Sequence, residues 1–143
     1  MSRTVFWDTA AFLALANTRD ALHTQAVIVS RSLASEKARL LTTDAVLTEL
    51  ANGLSKVDQR QLAQRTITMV QQSALLNVAE VIHVTPELWQ RGWQLYCSRL
   101  DKAWGLTDCL SFTVMQEQDV HEAFTADHHF EQAGFICLLR PDR

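Results

Sequence analysis

Glycine and proline are scarce, four and two among 143 residues. So little punctuation predicts a chain dominated by helices joined by short loops. Cysteine is also sparse: Cys97, Cys109 and Cys137 make an odd set without a CxxC pair. That excludes a disulfide framework and a cysteine zinc site, and it points to a reducing cytoplasm. Positive charge is in deficit, with 13 Lys and Arg against 16 Asp and Glu for a net charge of −3. A basic coat for nucleic acid is therefore missing, and any such partner must be gripped locally. No apolar run approaches the roughly 20 residues that a membrane helix needs. The opening Met1-Ser2-Arg3-Thr4-Val5-Phe6-Trp7-Asp8 turns acidic too soon for a signal peptide. What remains is 48% hydrophobic and 20% charged, the balance of a packed core. The expectation is a single soluble domain over residues 1–143.

Periodicity orders the chain as short apolar runs between longer amphipathic ones. Val5-Phe6-Trp7 reads as a strand, Ala10 to Ala16 as a short helix, and Asp20 as the cap of a helix reaching Ser35. A second strand over Arg39–Thr42 leads through Thr43-Asp44 into a helix from Ala45 to about Val57. A further helix spans Gln59 to about Leu76, and Val81–Val84 is a β-branched third strand. Pro86 opens a helix to about Leu100, and Thr107-Asp108 starts another through Gln118. Ala123–Ala126 is a fourth strand, His128–Ala133 a helical turn stopped by Gly134, and Phe135–Leu139 a fifth strand. Strands alternating with helices predict an α/β/α sandwich around a central, mostly parallel five-stranded sheet. Ligands of such folds bind beyond the carboxyl ends of the strands.

Carboxylates stand at those ends. Asp8 follows the first strand and Asp127 the fourth, while Asp108 lies in the first turn of a helix. Glu49 falls about 125° from the centre of the apolar stripe made by Val46, Leu47, Leu50, Ala51, Leu54 and Val57. It therefore faces away from the buried seam. Gathered together, four carboxylates repel, and a hard cation such as Mg²⁺ or Mn²⁺ removes that cost. The same cation neutralises a phosphodiester and activates water for attack, which makes phosphodiester hydrolysis the best-suited reaction. Taken singly, Glu49 reads as a solvated side chain and Asp108 as a helix-start residue.

The order of these acids resembles the PIN domain family, nucleases that include the toxins of bacterial VapBC toxin–antitoxin pairs. The matching stretches are Val5-Phe6-Trp7-Asp8-Thr9, Thr48-Glu49-Leu50, Leu106-Thr107-Asp108-Cys109-Leu110-Ser111 and Thr125-Ala126-Asp127-His128-His129-Phe130. The resemblance implies that Asp8, Glu49, Asp108 and Asp127 form a catalytic metal site for Mg²⁺ or Mn²⁺, with Thr9 and Thr125 as supporting hydroxyls. It also implies cleavage of RNA, often tRNA or rRNA, a homodimer, and a small antitoxin partner. The chain ends soon after the last strand, which favours the toxin branch over a nuclease with an appended RNA-binding domain.

Other features are weaker. His128-His129 lack a matched zinc spacing, and adjacent side chains do not converge easily. Both read as polar loop residues, with assistance to proton transfer as the lesser alternative for either. Asp101 reads as an ion-pairing residue, with a place near the metal as the lesser alternative. Trp104 packs under its loop or, with Arg99 and Lys102, faces RNA. Trp89, Trp93 and Tyr96 share one helix face, as core or as a subunit interface. The helix after Gln59 is only partly apolar, like a surface for a dimer mate or antitoxin. Cys109 reads as core. Two rival functions are a signalling receiver domain and a non-catalytic binding module. The first needs an Asp after the third strand and a Lys near the end of the fifth; this chain has neither. The intact acidic set argues against the second.

Overall fold

The computed structural model describes residues 3–141, so the outermost two residues at each end of the expected 1–143 domain lie outside it. Its elements run β1 (Thr4–Trp7), α1 (Thr9–Ala16), α2 (His23–Ser35), β2 (Arg39–Thr43), α3 (Asp44–Gly53), α4 (Arg60–Leu75) and β3 (Ala79–Ile82). They continue as α5 (Pro86–Ser98), α6 (Leu106–Glu117), β4 (Glu122–Phe124), α7 (His128–Gln132) and β5 (Ile136–Cys137). The five strands form one sheet in the order β3-β2-β1-β4-β5, and every pair is parallel. A receiver domain would show the order 2-1-3-4-5, so the topology excludes that rival.

Alternation along β1 divides the core. Val5 faces Ala11, Ala14, Ala26 and Leu33 of α1 and α2. Phe6 turns to the opposite side, where Phe130 of α7 and Phe112 of α6 stack in series at centroid distances of 6.3 and 4.9 Å. The sheet is thereby covered on both faces. No helix among the described residues is long and apolar enough to cross a membrane.

Each helix that returns the chain to a strand ends in the same device. Lys37, Asn77, Asp119 and Gly134 all have positive φ, from 55° to 95°. At each, the next residue's N–H reaches back to the last turn: Ala38 to Leu33, Val78 to Ser73, Val120 to Met115 and Phe135 to Phe130, at 2.9 to 3.1 Å. These are Schellman closures, which satisfy the helix's last carbonyls and aim the chain at the sheet. Only Gly134 does so without a side-chain penalty. A chain with four glycines thus carries the other three returns on Lys, Asn and Asp.

Several boundaries differ from the sequence reading. Asp20 does not begin a helix; its side chain accepts from the Leu22 N–H at 2.8 Å, forming a turn, and α2 starts at His23. Helix α3 stops at Gly53 instead of reaching Val57, which is exposed. β3 is shifted two residues upstream of the β-branched run. Its end is set by Asp44, whose Oδ1 accepts the Val84 N–H at 3.0 Å and draws the chain out of the ladder. β5 is reduced to two residues, although Leu138 and Leu139 still donate to Ala123 and Thr125.

Candidate active site

In this order of strands the chain leaves β1 toward β2 on one side and leaves β4 toward β5 on the other. The adjacent ends of β1 and β4 therefore open a crevice, the usual place for a ligand in an open α/β sheet. Asp8 and Asp127 stand there. Trp7 pairs with Phe124 as the last rung between the two strands, and the Asp8 N–H donates to the Phe124 carbonyl at 3.3 Å. Asp8 is thereby locked at the base of the crevice, with 4% of its surface exposed.

Two hydroxyls organise the acids around it. Buried Thr125 donates its Oγ1–H to Asp8 Oδ2 at 2.9 Å, and the same oxygen accepts the Asp127 N–H at 3.0 Å. One threonine thus ties the acid after β1 to the acid after β4. On the other flank, Thr9 Oγ1 donates to Glu49 Oε1 at 2.7 Å. Glu49 is exposed on α3, away from the buried seam, and this bond ties it to the residue after Asp8. Asp108 sits in the first turn of α6, held by the Gly105 N–H to its Oδ2 at 3.2 Å. Asp127 starts α7, with its Oδ1 accepting the His129 N–H at 2.9 Å.

The electrostatics follow from burial. Desolvation pushes the Asp8 carboxyl from 3.8 up to about 7; the Thr125 hydrogen bond opposes this, while the charges of Asp108 and Asp127 add to it. Asp108 is also raised, mainly by burial, with the Gly105 N–H pulling it back and Asp127 pushing it further. Among the described residues no Lys or Arg forms an ion pair with Asp8, Asp108 or Asp127. One buried and two half-buried carboxylates that raise each other's proton affinity, with no described Lys or Arg paired to them, fit a hard divalent cation: oxygen donors are what Mg²⁺ and Mn²⁺ take, and the cation would remove the repulsion.

Other candidates fall into place. Asp101 is exposed and forked onto Arg99 at 2.9 and 3.0 Å, which holds its carboxyl down to about 2. It stays outside the acidic cluster. Trp104 is buried, donates to Gln132 Oε1 at 3.0 Å, and carries the Arg99 guanidinium over its ring at 5.1 Å. Cys109 is core, its thiol pushed up to about 11 by burial. Trp89, Trp93 and Tyr96 stack in a ladder at 5.7 and 5.3 Å, but each is 39% to 42% exposed, so the core reading fails and a surface role remains. The outer part of α4 and the turn after it leave Met69, Leu75, Leu76 and Val78 exposed.

The histidines are the surprise. The side chains of His128 and His129 do converge, and their donor atoms lie with that of Asp127 within 4.8 Å of one another. His129 Nδ1 lies 3.2 Å from Asp108 Oδ2 and 3.4 Å from Asp127 Oδ1. Their position in a helical turn brings the second ring inward, a placement that pair spacing alone does not reveal.

A PIN domain family model matches residues 5–136. The chain belongs to the PIN domain family. It is also 30% identical over 138 residues, 96% of this chain and 99% of the other, to a Mycobacterium tuberculosis protein named 23S rRNA-specific endonuclease VapC20. The crystal structure of M. tuberculosis VapC20, described as a sarcin–ricin loop cleaving toxin, superposes with a TM-score of 0.79 and 28% identity, covering 92% of this chain and 96% of that one. VapBC2 from Rickettsia felis, solved with a DNA fragment from its promoter, shares the fold at a TM-score of 0.67 and 16% identity, over 94% and 96% of the two chains.

Proposed function

We propose that this PIN domain is a divalent-cation-dependent endoribonuclease acting as the toxin of a VapBC-type pair, with Asp8, Glu49, Asp108 and Asp127 as its catalytic metal site. The observation that carries the reading is the buried Asp8 carboxylate, its pKa raised by burial and by the charges of Asp108 and Asp127, with no Lys or Arg ion pair among the described residues. A fold gains no stability from such a cluster, so its presence in the crevice is a functional signal. The near full-length likeness to VapC20 supports RNA as the substrate, with large-subunit rRNA as the first RNA to test.

A divalent cation supplies charge neutralisation at the phosphodiester and activation of water for hydrolysis. The rest is the work of this chain. Asp8, Asp108 and Asp127 would hold the cation in the crevice between β1 and β4. Thr125 keeps the Asp8 carboxylate turned toward the cluster and sets the backbone of Asp127 in register with it. Thr9 holds the Glu49 carboxylate on α3, from which it would orient a ligand or a water. With a net charge of −3, the protein would gain from such a cation a local point of grip on a polyanion. The exposed α4 face and the aromatic ladder of α5 are offered as surfaces for a dimer mate or an antitoxin.

The test is cleavage of a mixed RNA pool and of ribosomes by the purified protein with Mg²⁺, Mn²⁺ or EDTA, beside Asp8→Asn. Metal-dependent cutting that the variant loses is expected. Cutting by Asp8→Asn at the wild-type rate would overturn the site. Neither cutting nor metal binding by the wild type would turn the reading to a non-catalytic module.

A further inference from the structure

His129 is placed as a participant in the acidic site. Its Nδ1 faces carboxylates from two elements, Asp108 of α6 at 3.2 Å and Asp127 before α7 at 3.4 Å, and its side chain is 20% exposed. His128 differs, being 71% exposed and reaching only Asp127, at 3.8 Å. The backbone makes the distinction durable. The His129 N–H is bonded to Asp127 Oδ1, and the next residue, Phe130, is buried between Phe6 and Phe112. The turn cannot rotate to exchange the two rings without extracting Phe130 from the core.

We propose that His129 is itself a ligand of the cation, so that the site is a mixed nitrogen–oxygen centre that selects a first-row transition ion such as Mn²⁺ over Mg²⁺. This inference rests on the reading of the acidic cluster as a metal site. Neighbouring ligands of an octahedral ion with bonds of about 2.1 Å stand about 3.0 Å apart. The two nitrogen–oxygen spacings at His129 lie within a few tenths of an ångström of that edge. The same ring can donate a hydrogen bond to either acid, so donor chemistry decides the consequence. Mg²⁺ takes oxygen and gives up its waters reluctantly. Imidazole nitrogen favours transition ions, with affinity rising along the row from Mn²⁺. Four carboxylates alone would leave the choice to abundance. A nitrogen fixed between two of them tilts it.

Pulsed electron paramagnetic resonance of Mn²⁺ bound to the whole chain tests the assignment, because a coordinated nitrogen modulates the spin echo. The wild type is prepared with natural and with ¹⁵N-labelled histidine, which needs no substitution and so no assumption about folding. Nitrogen modulation that changes with the label, vanishes in His129→Gln and persists in His128→Gln is expected. In competition titrations, Mg²⁺ should displace Mn²⁺ from His129→Gln at roughly tenfold lower concentration than from the wild type. Mn²⁺ that binds, and is lost in Asp8→Asn, without label-sensitive modulation would overturn the proposal while leaving the acidic metal site standing. Modulation that disappears only in His128→Gln would overturn it too. A wild type that binds no Mn²⁺ would overturn both the proposal and the metal site beneath it.

Discussion

Removing one charge at Asp8 should stabilise the cation-free protein, and by an amount that depends on pH in a defined way. The carboxyl has a pKa of about 7 in the fold against 3.8 as a free side chain, and the first cause is burial. A raised acid binds its proton more tightly in the native state, so its contribution is most favourable below about 4. That contribution is lost as pH climbs from about 4 through about 7, where the fold is forced to hold a buried anion. The interval is roughly three pH units at about 1.4 kcal/mol each, an upper bound of about 4 kcal/mol at pH 8. Asn retains an oxygen for the Thr125 hydroxyl but has one acceptor fewer, so about 2 to 4 kcal/mol is the expected gain for Asp8→Asn. For a chain of this length that is a rise in Tm of roughly 10 °C.

Thermal melts in EDTA from pH 4.5 to 9 measure it directly. The gap between variant and wild type should be small at the acid end and widen through neutrality. Adding Mn²⁺ at about 100 times its Kd should then raise the wild type by about 2.7 kcal/mol and the variant far less. A gap of the same size at pH 5 and pH 8 would refute the reasoning, since a pH-independent effect would come from packing and not from charge.

Three further substitutions follow from single contacts. Glu49→Gln keeps an oxygen for Thr9 but loses its charge, so activity titrations should need more Mg²⁺ or Mn²⁺ to reach half-maximum; an unchanged titration would remove Glu49 from the site. Thr125→Val cuts the bond to Asp8 and orphans the Asp127 N–H, so urea unfolding should show a loss of about 1 to 3 kcal/mol, larger at pH 8 than at pH 5 because the lost bond favoured the charged carboxylate. Lys37→Gly relieves a side chain held at φ 55°, and should raise stability by about 1 kcal/mol in the same assay, with cleavage unchanged.

How much of this was legible beforehand varies with the physics involved. Strands and helices were readable because burial imposes its period on the sequence, and a mostly parallel sheet followed from their alternation; that every pair is parallel came from the structure. Acids at strand ends were readable because Asp is out of place beside a buried strand such as Val5-Phe6-Trp7. Boundaries set by side-chain hydrogen bonds were not. Asp44 ends β3 by capturing the Val84 N–H from 40 residues away, and no local pattern announces that. The helix ends at Lys37, Asn77 and Asp119 were equally silent, since the turn is made by residues that do not advertise a left-handed backbone as Gly134 does.

The same contrast explains why the site was half visible. Asp8 and Asp127 could be found because each directly follows a short apolar run; that β1 and β4 lie side by side, which brings the two acids to one crevice, was not written in the sequence. Thr125 could be named as a supporting hydroxyl but its double task could not, because it depends on the Phe124–Trp7 rung bringing β4 level with Asp8. His129 could be named together with His128, but which of the two rings turns inward lay beyond reach for a further reason. In isolation a His-His pair in a polar stretch is unremarkable; it acquires a role when Phe130 enters the core beside Phe6 and turns the preceding ring toward α6. The residue that decides where His129 points is therefore a phenylalanine packed in the core. A Phe130→Ala substitution would free the turn as well as hollow the core, so loss of metal selectivity there would accompany unfolding, whereas His129→Gln separates the ligand from the packing that aims it.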